Sequence, residues 1–75
     1  MVEDPRQGKY RHYKGRYYLL LGTATHSETL ERLAIYQSLE DDGHLWARPL
    51  SMWNELVDVD GVLVPRFLFI EDTTR

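Results

Sequence analysis

The segment Tyr17–Leu39, YYLLLGTATHSETLERLAIYQSL, decides how the rest of the chain folds. It begins with Tyr17–Leu21, the most apolar continuous run in the sequence, and it ends in a segment where apolar and polar residues alternate. Between them lie five small or ionisable polar residues, Thr25-His26-Ser27-Glu28-Thr29. Alternation with a period of two is typical of a half-buried strand. We therefore predict a strand, a short turn at residues 25–29, and a second strand from about Leu30 to Leu39.

The composition limits the classes of protein to which this chain can belong. Its 75 residues suffice for one domain. A net charge of −3 argues against a general nucleic-acid-binding surface, and the lack of cysteine excludes disulfides and thiolate metal sites. No apolar run approaches the roughly 20 residues that cross a bilayer, and the acidic N-terminus lacks the plan of a signal peptide. We expect a cytoplasmic protein without membrane contact.

A hairpin is predicted before the leucine run, because Lys14-Gly15 separates two aromatic segments, Tyr10–Tyr13 and Arg16–Ala24. With a two-residue turn, the core face carries Tyr10, His12, Tyr17, Leu19 and Leu21. The outer face carries a group of cations and rings, Arg11, Tyr13, Arg16 and Tyr18. Such a group is suited to stacking on bases or gripping an extended peptide, so it is a candidate binding surface.

An isolated glycine, Gly22, interrupts the second strand where it leaves the leucines. A glycine inside a strand indicates a bulge or a close approach of another backbone. We predict that Gly22 has a positive φ or has no room for a side chain, so that Gly22→Ala lowers the melting temperature.

Short apolar segments separated by glycine turns fill the rest of the chain. We predict strands at Leu45–Arg48, Leu56–Val59 and Val62–Ile70, with Asp60-Gly61 as a second hairpin turn. One helical turn between them should place Met52 and Trp53 inward. Five or six short antiparallel strands with one helical turn indicate an all-β fold, and a small barrel suits this length best. Residues 8–70 form the single domain, and 1–7 and 71–75 are expected to be tails.

Several motifs together resemble one known family. They are Gly8-x-Tyr10-Arg11-His12-Tyr13-Lys14-Gly15, Leu21-Gly22-x-Ala24-x-His26-Ser27-Glu28-Thr29-x-Glu31, Trp46-x-Arg48-Pro49, Met52 and Pro65-Arg66-Phe67. From about residue 8 to residue 70, the chain resembles the small bacterial family called domain of unknown function 1653. The resemblance implies an SH3-like β-barrel, in agreement with the strand count, and it implies no established biochemical role.

Trp46 and Arg48 form part of a second candidate site. They are two positions apart, so their side chains leave the same face of a strand. An arginine beside an aromatic wall is suited to clamp a carboxylate or a phosphate. The structural alternatives are an ion pair of Arg48 with Glu28 or Glu31, and a place for Trp46 in the core.

The polar turn supplies the other candidate ligand residues, His26, Ser27 and Glu28. Neighbours in an extended segment point to opposite sides, so these three do not form a catalytic relay. The structural alternative is that Ser27 and Thr29 satisfy backbone groups of a tight turn that Glu28 caps. No histidine pair has metal-ligand spacing, so we predict no metal and no cofactor.

Two functions remain open. The first is a non-catalytic binding module for a peptide or protein partner, or for RNA, which the net acidity disfavours. The second is a small-ligand site or minor enzyme built on His26, Ser27, Glu28 and Arg48. A domain this small leaves little room for a drug-sized pocket, which favours the first. Convergence of His26, Glu28 and Arg48 in one concave site with unpaired polar atoms would favour the second.

Overall fold

A computed structural model describes residues 4–40 and 43–72. Along the chain lie β1 (Gly8–His12), β2 (Tyr17–Thr25), β3 (Arg32–Ser38), β4 (Leu45–Pro49), α1 (Leu50–Trp53), β5 (Leu56–Val59), β6 (Val62–Pro65) and β7 (Phe67–Glu71). Five strands form an antiparallel main sheet in the order β4-β3-β2-β1-β7, and β5 pairs with β6 in a second sheet. The predicted all-β class with one short helical turn is confirmed. Strand pairing within the described residues forms these two sheets and no closed ring.

There are seven strands instead of five or six because the predicted strand Val62–Ile70 divides at Arg66. The Arg66 backbone N–H donates to the Glu55 carbonyl at 2.9 Å, and its carbonyl accepts from the Tyr13 N–H at 2.9 Å. Pro65, which has no N–H to donate, ends β6 at this point. The chain thereby leaves the small sheet and enters the main sheet as β7.

The hairpin of β1 and β2 has a three-residue loop, 13–15, instead of the predicted two-residue turn. The His12 N–H donates to the Arg16 carbonyl at 2.7 Å and closes the loop. Gly15, the last loop residue, has a φ of +106°. Glycine favours this position in three-residue loops because it takes positive φ without steric cost. The predicted register is therefore wrong by one residue.

That slip moves half of the predicted outer face to the core side, because side chains alternate along a strand. Tyr10 pairs with Tyr18 instead of Leu19. The candidate binding surface of cations and rings is consequently divided. Arg16 and Tyr18 line a cavity on the core side, whereas Arg11 and Tyr13 line a different cavity.

β2 contains the predicted bulge. Its pairing with β3 shifts between Leu20 and Gly22, so Leu21 is the extra residue. Leu20 is fully buried, and Leu21 is exposed. The predicted reason for the glycine is wrong, since φ of Gly22 is not in the left-handed region and an added Cβ would lie 3.7 Å from its nearest neighbour, Gln7 Nε2.

The core is mostly aromatic and lies on one face of the main sheet. Trp53 stacks on Phe67 with ring centroids 3.8 Å apart. Tyr10 and Tyr36 pack against the same indole, at centroid distances of 5.2 and 5.0 Å. The buried hydrophobic residues are Tyr10, Leu20, Ala34, Tyr36, Leu50, Trp53 and Phe67. Large flat rings let so short a chain fill its core with few side chains.

Met52, which was predicted to face inward, and Trp46, for which the core was the structural alternative, are both exposed. The helical turn places Leu50 and Trp53, three positions apart, on its buried side, and Met52 faces outward. Trp46 is 50% exposed because it lies on β4, an edge strand with no neighbour beyond it.

The second hairpin is confirmed, and we call residues 56–65 the β5–β6 arm. Asp60 and Gly61 have φ values of +53° and +85°, as a type I′ turn requires. An ion pair between Arg66 and Glu55 at 2.8 Å lies at the base of the arm. The arm exposes several apolar side chains, Leu56, Val59, Val62 and Leu63.

Candidate functional site

One face of the main sheet carries both the core and the candidate site, and we call it the inner face. Directly opposed residues of an antiparallel pair share a face. The opposed pairs here are Tyr18 with Ser38, Tyr36 with Trp46, and Ala34 with Arg48. α1 packs on β3 and β4 and buries Trp53 against this face. The part of the face that includes Ser38 and Trp46 remains open to a cavity.

This cavity has a volume of about 300 Å³. Its lining residues are Arg16, Tyr18, Tyr36, Ser38, Trp46 and Arg48. We call it the arginine pocket. Its volume is at the lower limit for small-ligand sites, so the domain has more room for a ligand than its length suggested. The structure thus joins Arg48 and Trp46, from one predicted site, with Arg16 and Tyr18, from the other.

Arg48 is held in place by aromatic groups. Its Nε donates to the Tyr36 hydroxyl at 3.4 Å, and its guanidinium carbon lies 5.6 Å from the centroid of the Phe67 ring. The predicted ion pair with Glu28 or Glu31 is not formed, and Arg48 has no carboxylate partner among the described residues. Within the described residues, its terminal guanidinium nitrogens have no hydrogen-bond acceptor.

Arg16 brings a second cation to the pocket. Its side chain is exposed, and in the described part of the chain it too lacks an acidic partner. Among the described residues that line the pocket, the ionisable side chains are two arginines and two tyrosines, and none is a carboxylate. The pocket is therefore a cationic spot on a protein whose net charge is −3.

Ser38 and Trp46 complete the lining. Ser38 is buried, and its Oγ accepts a hydrogen bond from the Glu40 N–H at 3.1 Å, which leaves its hydroxyl hydrogen free to donate. Trp46 is half exposed at the sheet edge, with the His44 ring 5.9 Å away. An exposed indole beside two guanidinium groups offers a flat apolar surface next to positive charge.

The His26 turn lies outside the pocket and is held by its own hydrogen bonds. His26 Nδ1 accepts from the backbone N–H groups of Glu28 (3.1 Å) and Thr29 (3.2 Å). The His26 N–H donates to the Glu31 carbonyl at 2.8 Å. The imidazole therefore takes the capping role that was predicted for Glu28. His26, Ser27 and Glu28 are all exposed and do not line the pocket with Arg48.

His12 lies on the inner face, in surroundings that favour its neutral form. Burial lowers its pKa, and the positive charges of Arg48, Arg66 and Lys14 lower that pKa further. Its Nδ1 also accepts the Lys14 backbone N–H at 3.1 Å, a bond that protonation at Nδ1 would break. The folded protein thus resists protonation of this imidazole more than the unfolded chain does.

We expect His12 to reduce stability at acidic pH. Its folded-state pKa is below the unfolded value of about 6.5, so its contribution is intact above that pH and is lost as the pH falls from there towards the folded-state pKa. Urea unfolding of the wild type and His12→Gln at neutral and mildly acidic pH measures this. The wild type should lose more stability on acidification than His12→Gln. Equal losses in the two proteins would contradict the assignment.

Comparison with known proteins identifies the family. The family model described as "Protein of unknown function (DUF1653)" matches residues 8–69. The chain belongs to this family. A crystal structure of a DUF1653 protein from Bordetella bronchiseptica is 39% identical, with a TM-score of 0.85, and the alignment covers 100% of this chain and 99% of that one. No curated protein matches the sequence.

Two pocket residues of this DUF1653 domain, Tyr36 and Ser38, were not singled out in the sequence. Their alternation with Ala34 along β3 was the available signal, because it places all three on one face. This alternation by itself does not indicate a function. Tyr36 and Ser38 became pocket residues only through pairing with β2 and β4.

The DUF1653 domain has a second cavity, of about 280 Å³, on the other side of the β1–β2 hairpin. It is lined by Arg11, Tyr13, Val59, Val64, Pro65 and Leu68, and it is more apolar than the arginine pocket. Residues 4–40 and 43–72 contain no cluster of three His, Asp or Glu side chains that could hold a metal ion. No helix within these same residues is long and apolar enough to span a membrane.

Proposed function

We propose that this DUF1653 domain is a non-catalytic binding module that holds an anionic group, a carboxylate or a phosphate, in the arginine pocket. One observation carries the proposal: Arg16 and Arg48 line the same cavity, and neither has a carboxylate partner in the described part of the chain. The argument is stronger for Arg48, which is partly buried, than for Arg16, which is exposed, because a charge with less solvent around it gains more from an opposite charge. A ligand anion would supply the missing partner.

The surroundings of Arg48 favour tight binding because they reduce the side-chain entropy that is lost when an anion binds. The contacts with Tyr36 and Phe67 restrict the side chain before a ligand arrives, so less rotational freedom is lost on binding. The planar fork of arginine suits two oxygens of a carboxylate or phosphate. Partial burial of Arg48 also strengthens its attraction for an anion relative to one in bulk water.

The same lining supports binding over catalysis. Among the described residues that line the pocket there is no histidine or carboxylate to act as a general base. The His26 imidazole, the obvious candidate base, uses Nδ1 within its own turn. The partner would be a peptide, a protein or a small molecule that presents an anionic group.

Replacing Arg48 should weaken anion binding. We expect Arg48→Gln to cost about 1.5–3 kcal/mol, the range for hydrogen bonds to charged groups, which makes the dissociation constant for phosphate or acetate roughly 10- to 150-fold larger. Titration calorimetry at constant ionic strength, together with amide chemical shifts, measures this change. Arg16→Gln should act in the same direction with a smaller effect, since that side chain is more exposed.

Arg11→Gln is the matched control, because it removes one positive charge from the other side of the same hairpin. It should leave the affinity within about twofold of the wild type, as expected when only a distant, screened charge is lost. Melting curves of all variants verify that they fold. Equal losses in Arg11→Gln and Arg48→Gln would show a diffuse charge effect, and the absence of saturable anion binding by the wild type would overturn the proposal.

A further inference from the structure

We infer that the anion is the phosphate of a nucleoside monophosphate, with the base stacked on Trp46. This inference rests on the proposed function and specifies its ligand. Three features of the arginine pocket lead to it: the number of its donors, the exposed indole beside them, and its volume.

The number of donors favours a phosphate monoester over a carboxylate. A carboxylate presents two oxygens, whereas a phosphate monoester presents three terminal oxygens and up to two negative charges. Two guanidinium groups and two tyrosine hydroxyls line the pocket. The Tyr36 hydroxyl accepts from Arg48 Nε and so keeps its own hydrogen to donate. This donor set exceeds what one carboxylate can accept and matches a phosphate.

The position of Trp46 favours a flat group attached to that phosphate. Its side chain is on the inner face opposite Tyr36, yet it is 50% exposed because β4 has no outer neighbour. Because it lines the arginine pocket, its exposed ring surface lies where a flat group attached to a bound phosphate could stack on it. Bases stack on tryptophan regardless of their identity, and a nucleoside places its base within a few bonds of the phosphate.

Volume and charge favour one nucleotide over a long strand. A cavity of about 300 Å³ accommodates a phosphate with its sugar, and the base can lie on the open side over Trp46. Binding a polyanion draws on cations spread along a groove. This chain has a net charge of −3, so a single phosphate monoester is the better match.

The test compares a ladder of ligands at constant ionic strength: inorganic phosphate, ribose 5-phosphate, adenosine, adenosine and uridine monophosphates, and a short 5′-phosphorylated oligonucleotide. Affinities come from calorimetry, and the indole N–H resonance of Trp46 reports stacking. The monophosphates should bind about tenfold or more tightly than ribose 5-phosphate. Adenosine alone should bind weakly. Trp46→Ala should abolish the tenfold gain of the monophosphates over ribose 5-phosphate, while Trp46→Phe should retain part of that gain.

Three other outcomes would test the nucleotide inference and the anion-binding function separately. If phosphate and ribose 5-phosphate bind through Arg48 and the base adds nothing, the nucleotide inference fails and the anion-binding function stands. If the oligonucleotide binds much more tightly than the monophosphates, the ligand is a strand end and the free-nucleotide assignment is overturned. If no anion binds, both claims fail.

Discussion

Trp53→Ala is expected to remove a large part of the stability of the domain. Trp53 is 2% exposed and stacks on Phe67, with Tyr10 and Tyr36 against the same ring. Truncating a buried tryptophan costs about 3–5 kcal/mol. At about 0.05–0.15 kcal/mol per residue, a chain of 75 residues has roughly 4–11 kcal/mol in total. The variant should therefore unfold at a much lower urea concentration than the wild type.

One feature moderates this loss. The Trp53 Nε1–H is buried and has no hydrogen-bond partner among the described residues. An unsatisfied buried donor costs about 1–3 kcal/mol, and truncation removes that cost, so the net loss should be at or below the lower end of the range, about 3 kcal/mol. Trp53→Phe, which keeps a ring against Phe67 and removes the donor, should be clearly milder than Trp53→Ala.

Trp46→Ala is the matched control, since it makes the same truncation at a half-exposed position on an edge strand. Its effect on stability should be within about 1 kcal/mol, near the range for surface substitutions. Urea unfolding followed by far-UV circular dichroism measures both variants. Similar losses for the two would show that Trp53 does not organise the core.

The second large effect is expected for Gly8→Ala. Gly8 is buried in β1 with a φ of +148°, and an added Cβ would lie 2.5 Å from the Glu71 carbonyl oxygen and 3.1 Å from Phe69 Cε1. Backbone strain of this kind costs about 1–3 kcal/mol. The overlap with a carbonyl of β7 adds to that cost, because backbone cannot move aside without opening the pairing of β1 with β7.

Gly22→Ala provides the comparison for this substitution. Gly22 has an ordinary φ, and 3.7 Å separates an added Cβ from its nearest neighbour. Its melting temperature should equal or slightly exceed that of the wild type, since alanine restricts the unfolded chain. Thermal unfolding of both variants decides the matter. A larger drop in melting temperature for Gly22→Ala than for Gly8→Ala would contradict the conclusion that Gly8 is the glycine without room for a side chain.

Local sequence patterns predicted the features that depend on neighbouring residues. The alternation in β3 specified a strand and placed Ala34, Tyr36 and Ser38 on one side. Asp60-Gly61 specified a two-residue turn because both residues tolerate positive φ. The strand break at Gly22 specified the bulge. Each of these follows from the conformational preferences of a few adjacent residues.

The β1–β2 register could not be obtained in this way. Lys14-Gly15 fits a two-residue turn, and the same glycine also fits the last position of a three-residue loop. The choice between them depends on the packing of Tyr18 with Tyr10 and Tyr36 in the core. Since the register decides which side chains enter the pocket, the candidate site could be predicted only in part.

Trp46 illustrates a second limit. The spacing in the sequence placed Trp46 and Arg48 on the same face of a strand. The burial of Trp46, however, depends on whether another strand lies beside that strand. Only the strand order of the main sheet shows that β4 is at the edge. Likewise, the separation of the His26 turn from Arg48 follows from strand pairing and not from local preference.

The β5–β6 arm has a consequence for the cooperativity of the domain. Its two strands of four residues pair mainly with each other, while the main sheet has five strands and the aromatic core. A two-stranded ladder alone is only marginally stable. The arm should therefore open by local fluctuation while the main sheet stays folded, and its amide hydrogens should exchange with solvent first. In a chain this short, two units of unequal stability share one backbone, and the ion pair of Arg66 with Glu55 marks the border between them.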